Sequence, residues 1–161
     1  MSKALKVLYP LQTLVLLGGT IFAWYTVYGD FARHYQYEGS FFKFTDCIVP
    51  NPLATPCFYG AIAFLIALVW SIIILRKKLD QKMLQHKRLF WLLLAGTLFA
   101  WGNFGWGFYK FWQNDMAPTA GCSGVVVDNP FSTPCFYGAL FYLSALIVSI
   151  IIKMIAKKKT I

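Results

Sequence analysis

Four stretches of this chain are long, apolar and free of charge in their central parts, and no other feature restricts the fold as strongly. They cover residues 7–28, 57–75, 89–111 and 135–152, with soft edges. A bilayer core takes about 20 apolar residues per helix. Without water in that core, a spanning segment has to close its backbone hydrogen bonds internally. The expected fold class is therefore all-α integral membrane, a four-helix transmembrane bundle. Of the 161 residues 58% are hydrophobic and only 13% charged, where a soluble domain carries roughly a quarter.

The basic residues give the expected orientation. They form three blocks beside the apolar stretches: Lys3 and Lys6; Arg76, Lys77 and Lys78 through Lys82, Lys87 and Arg88; and Lys153 with Lys157, Lys158 and Lys159. Such blocks mark cytoplasmic flanks. Both termini and the middle connection (76–88) are expected inside, and the connections 29–56 and 112–134 outside. The expected location is the cytoplasmic (inner or plasma) membrane, with the cysteine loops extracytoplasmic. The net charge of +9 is then topological, not a nucleic-acid surface. The first stretch follows two lysines as a signal peptide would, but it is longer than a typical signal core and lacks a small-x-small cleavage site. It is expected to be retained.

The halves align. Gly19-Thr20-Ile21-Phe22-Ala23-Trp24 matches Gly96-Thr97-Leu98-Phe99-Ala100-Trp101. Asn51-Pro52 followed by Thr55-Pro56-Cys57-Phe58-Tyr59-Gly60 matches Asn129-Pro130 followed by Thr133-Pro134-Cys135-Phe136-Tyr137-Gly138. Chance apolar similarity does not supply that motif twice. Two tandem helix–loop–helix repeats are expected, residues 1–78 and 79–161, in one membrane domain. They enter the bilayer in the same sense and so form a parallel repeat. Small residues, among them Gly18, Gly19, Ala61, Gly96 and Ala100, suit close helix approach.

All four cysteines, Cys47, Cys57, Cys122 and Cys135, fall in or beside the expected outer connections. Thiols in an oxidising compartment tend to pair. One disulfide within each loop is the simplest arrangement, although four cysteines allow three connectivities. Thr55-Pro56 and Thr133-Pro134 read as helix starts, with Thr as N-cap and Pro at the first position. That puts Cys57 and Cys135 in a first helical turn, where the helix end favours a thiolate.

Four helices, both ends inside and a cysteine pair in each outer loop make a layout similar to that of the DsbB family of membrane disulfide-forming proteins, and more loosely to vitamin K epoxide reductases. The resemblance covers topology and cysteine placement. It implies a quinone-linked thiol–disulfide oxidoreductase using Cys47, Cys57, Cys122 and Cys135. The Cys-x-x-Cys pair of those families is absent.

Arg33 and Lys110 occupy matching places near the outer ends of their helices. They are expected to snorkel, or else to hold a lipid or quinone headgroup. His34 is expected at headgroup level, His86 solvated among basic residues, and Asn103 bonded to another helix. The aromatic residues around Trp24, Tyr28, Trp106 and Trp112 are expected to form an interfacial belt. No ionisable path crosses the apolar stretches, which argues against a pump. No phosphate loop, hydrolase motif or metal-ligand set is present. The first expectation is a non-catalytic structural or accessory subunit, without cofactor, whose disulfide-stapled loops contact another membrane or extracytoplasmic protein. The alternative is the quinone-linked oxidoreductase.

Overall fold

The computed structural model describes residues 3–121 and 124–157. Cys122, Lys158 and Lys159, named in the sequence reading, lie outside these. Four helices carry the chain: α1 (Lys3–Glu38), α2 (Pro56–Arg76), α3 (Leu79–Gln113) and α4 (Pro134–Lys157). Each is long and apolar enough to cross a membrane.

Helices α1 and α3 have 36 and 35 residues, so each is about 50 Å long against a hydrocarbon core of about 30 Å. Their polar ends project well beyond the apolar stretches. Two expected boundaries change as a result. The middle connection shrinks to Lys77 and Lys78, and Lys82, Lys87 and Arg88 are helical. The reason is packing. His86 meets Tyr9 edge-on at 5.6 Å, and Lys82 lies over the Tyr9 ring. At its other end α1 continues through Asp30 and His34 and stops at Gly39, whose positive φ lets its N–H bond Tyr35 O at 2.9 Å.

Helix α1 packs on α2 and α4, and α3 packs on the same two. In the core the Phe64 and Tyr142 rings stack with centroids 3.9 Å apart. Gly19 faces Phe64, and Gly96 faces Tyr142, at distances no side chain tolerates. Short polar pairs tie the helices elsewhere. Thr13 Oγ1 lies 2.7 Å from Ser71 Oγ, and His86 Nε2 lies 3.2 Å from Ser149 Oγ. His86 is 4% exposed, contrary to the solvated position expected from its basic neighbours. The extra helical turns of α3 rotate it onto the buried face.

The repeated Asn-Pro-x-x-Thr-Pro segment is a two-step helix entrance. Asn51 and Asn129 each cap a short 3₁₀ turn, Pro52–Ala54 and Pro130–Ser132. The threonine hydroxyls donate back to Pro52 O and Pro130 O at 2.7 and 2.6 Å. Thr133 also accepts from Phe136 N at 3.4 Å, while Thr55 makes no side-chain cap, which corrects the expected role of Thr55. Asn51 does more than Asn129. It is buried, accepts from Leu53 N, and donates to Phe41 O and Lys43 O at 2.9 and 3.0 Å. Asn51→Ala is expected to cost about 3 kcal/mol, from three lost bonds and the loss of the Phe41 O donor, while Lys43 O keeps Cys47 Sγ. Trypsin cleavage at Lys43, followed in detergent, should rise at least tenfold. The same change at exposed Asn129 should leave cleavage within about threefold of wild type.

Candidate functional site

At the end of the bundle opposite the basic connection, the starts of α2 and α4 come together. Cys57 Sγ stands 3.9 Å from Cys135 Sγ. A disulfide measures about 2.05 Å, so these sulfurs are near contact but not bonded. Cys135 is itself disulfide-bonded, to a partner outside the described residues; the sequence-based pairing assigns that partner to Cys122. The first loop differs. Cys47 is a thiol and is not bonded to Cys57, so the expected Cys47–Cys57 disulfide is absent. The cause is local. Cys47 Sγ is held within its own loop, 3.4 Å from Lys43 O and 3.5 Å from Thr45 O. Cys57 faces into the bundle instead.

The loop that holds Cys47 is clamped at both ends. The Glu38 carboxylate accepts from Ile48 N and Val49 N and pairs with Lys43. This hydrogen bond raises the Lys43 ammonium above the usual lysine range. His34, fully buried, places Nδ1 3.0 Å from Val49 O. It holds the loop down on α1 and is not at headgroup level.

Cys57 and Cys135 line a small apolar cavity of about 60 Å³ with Phe22, Phe64, Phe99 and Tyr142. Asn103 borders it too, but its amide donates to Phe99 O in its own helix and not to a neighbour as expected. A wider groove of about 480 Å³ lies against the same wall, sharing Phe22, Thr26 and Pro134. Its lining includes Tyr25, Tyr28 and Tyr137, and also Asp30 and Arg33. Arg33 Nη1 is 3.3 Å from Asp30 Oδ1, while Asp30 Oδ2 is buried without a hydrogen-bond partner among the described residues.

Of the two matched cations, only Arg33 joins this site. Lys110 sits over Trp106 on its own helix, 5.5 Å from the ring. The expected belt divides similarly. Trp24, Tyr25, Trp106 and Trp112 are exposed on the surface, whereas Phe104 is buried against Trp101 and Phe108. Among the described residues no group of three His, Cys, Asp or Glu is placed to hold a metal.

Asp30 lies two residues beyond the apolar stretch that ends at Tyr28, so hydropathy does not mark it. A signal was available. Leu16, Thr20, Val27, Asp30 and His34 are all buried, and their spacing follows one helical face past Tyr28. Extending the periodicity, not the hydropathy, would have found it.

The arrangement supports one kind of chemistry well. A thiol near contact with a disulfide sulfur, in a space lined mostly by apolar groups, has the geometry for thiol–disulfide exchange. Comparison with protein families, with curated proteins and with solved structures gives no match.

Proposed function

We propose that this chain is a membrane thiol–disulfide oxidoreductase whose exchange centre is Cys57 opposite the Cys135 disulfide. The observation that carries the reading is the 3.9 Å separation of two sulfurs that lie 78 residues apart in sequence. In this reading the two halves are parallel repeats with their cysteine loops on the extracytoplasmic side, where protein thiols are oxidised.

A thiolate of a partner protein attacks the loop disulfide, and its second thiol resolves the mixed disulfide. The partner leaves oxidised, with Cys135 and its loop partner reduced. Cys57 and Cys135, both thiols and side by side, are then the pair from which two electrons leave. Once Cys57 and Cys135 are joined, the loop thiolate attacks Cys135, restores the loop disulfide and releases the Cys57 sulfur; the exchange runs in both directions, and its reverse is the attack of Cys57 on Cys135 of the loop disulfide.

A quinone fits the groove and not the cavity. An apolar cavity of about 150 Å³ admits a benzene-sized molecule, so 60 Å³ is too small and 480 Å³ is ample. Tyr25, Tyr28 and Tyr137 would face the ring and Arg33 a carbonyl. Bound there, it would supply the two-electron acceptor.

The test is disulfide mapping on the whole chain in detergent, after acid quenching and alkylation across a series of redox buffers. Both the loop bond and a Cys57–Cys135 bond should be recovered, with potentials above roughly −300 mV, as labile bonds have. A single loop bond below that potential, with Cys57 always a thiol, would instead support a structural or accessory subunit. One observation favours that second reading. The cysteine end is rimmed by exposed Phe42, Ile48, Trp106 and Trp112, a surface suited to another protein or to lipid.

A further inference from the structure

A buried carboxylate with one oxygen unpartnered stands beside the exchange centre, and the exchange step described above leaves it without a task. Asp30 has a side chain only 7% exposed. Its Oδ1 is taken by Arg33 at 3.3 Å, while Oδ2 has no hydrogen-bond donor among the described residues. Burying such a group is costly unless it is paired. The Asp30 groove and the Cys57 cavity adjoin, sharing Phe22, Thr26 and Pro134 as walls. The matching position in the second half is Gly107, so the carboxylate serves only the Cys57 side.

We propose that Asp30 accepts the Cys57 proton, directly or through one water, as Cys57 attacks Cys135, and that Arg33 holds the carboxylate in place for this. The proposal rests on the exchange reading. The bonds balance without an outside oxidant. The Cys57 S–H bond breaks and an O–H bond forms on Asp30. The Cys57–Cys135 bond forms while the bond from Cys135 to its loop partner breaks, and that loop sulfur leaves as a thiolate.

Among the described residues, the other titratable or charged groups lining the Asp30 groove and the adjoining cavity are Tyr25, Tyr28 and Arg33 on α1, Cys57 on α2, and Cys135, Tyr137 and Tyr142 on α4. His34, one turn further along α1, is engaged by Val49 O of the first loop. An effect of Asp30 on exchange is therefore to be read as a pH profile and not at one pH.

The loop-disulfide form of the whole chain, isolated in detergent at pH 4, is jumped to values between pH 5 and 9. Formation of the Cys57–Cys135 bond is then timed by acid quench and peptide mapping. The wild-type rate should level off once the carboxylate has lost its proton. Asp30→Asn should be about a hundredfold slower at pH 7, the usual scale for a positioned base, and should climb about tenfold per pH unit. Asp30→Glu, which keeps a carboxylate, should stay within about tenfold of wild type. An Asp30→Asn rate equal to or above wild type overturns the proposal, because loss of a negative charge beside a thiolate by itself favours the thiolate. So does a wild-type rate that climbs tenfold per unit from pH 5 to 9 without levelling, a result that needs no folded variant. If wild type forms no Cys57–Cys135 bond at any pH, the exchange reading fails and takes this role with it. Bond formation that is normal in wild type but indifferent to Asp30 removes the role alone.

Discussion

Cys57→Ser protein is expected to oxidise one equivalent of a small dithiol and then stop. Its loop disulfide, held through Cys135, remains available for a first round of attack. What it lacks is the neighbouring sulfur at 3.9 Å with which Cys135 forms the second bond. Supplied with a soluble benzoquinone as acceptor, wild type should turn over repeatedly, and Cys57→Ser should lose at least about a hundredfold in the steady state, as when a nucleophile is removed. Cys135→Ser should lack even the first equivalent. Cys47→Ser is the control. Its sulfur is held by loop carbonyls, and its loss should change turnover less than about threefold. Unfolding midpoints should separate chemistry from structure. Cys57→Ser breaks no disulfide and should unfold near wild type, whereas Cys135→Ser loses a cross-link worth roughly 2–4 kcal/mol. If Cys57→Ser continues to turn over like wild type, the pairing of Cys57 with Cys135 has no redox meaning.

Gly96→Leu is expected to destabilise the bundle by about 3 kcal/mol or more, near the top of the range for overpacked cores. A Cβ alone at Gly96 would stand 2.4 Å from Tyr142 Cε1. The ring cannot step aside. It is 2% exposed, its other face stacks on Phe64, and its hydroxyl donates to Gly60 O at 3.1 Å. Gly19 meets Phe64 in the same manner, with a Cβ contact of 2.6 Å, so Gly19→Leu should behave alike. Gly102→Ala is the contrast, since nothing lies within 4 Å of its added carbon. There the gain in helix propensity, up to about 1 kcal/mol, should leave the protein unchanged or slightly more stable. Denaturant titration in mixed micelles would rank the three. Equal stability of Gly96→Leu and Gly102→Ala would mean that the helices do not approach as closely as described.

Much of the architecture was legible in the sequence because lipid leaves few options. A chain with four long uncharged stretches has to satisfy its backbone within each of them, and helices are the means. The doubled Asn-Pro-x-x-Thr-Pro-Cys motif located the starts of α2 and α4 to the residue. Less was legible where helices leave the apolar region. Hydropathy falls at Tyr28 and before Leu89, yet α1 and α3 continue because polar residues there still pack: His34 on the first loop, His86 on Ser149. For the same reason, hydropathy alone misplaced both histidines.

The sequence by itself determined the number of helices, their apolar cores and the placing of Cys57 and Cys135 in first turns. These depend on local patterns of apolar, capping and turn-forming residues, each readable within about 20 positions. Only the tertiary structure decided which sulfur meets which. That depends on how each helix is rotated about its axis and how each connection returns to it. Loop carbonyls hold Cys47 away from its near neighbour in sequence, while the close packing of glycines against Phe64 and Tyr142 brings together two helix starts 78 residues apart.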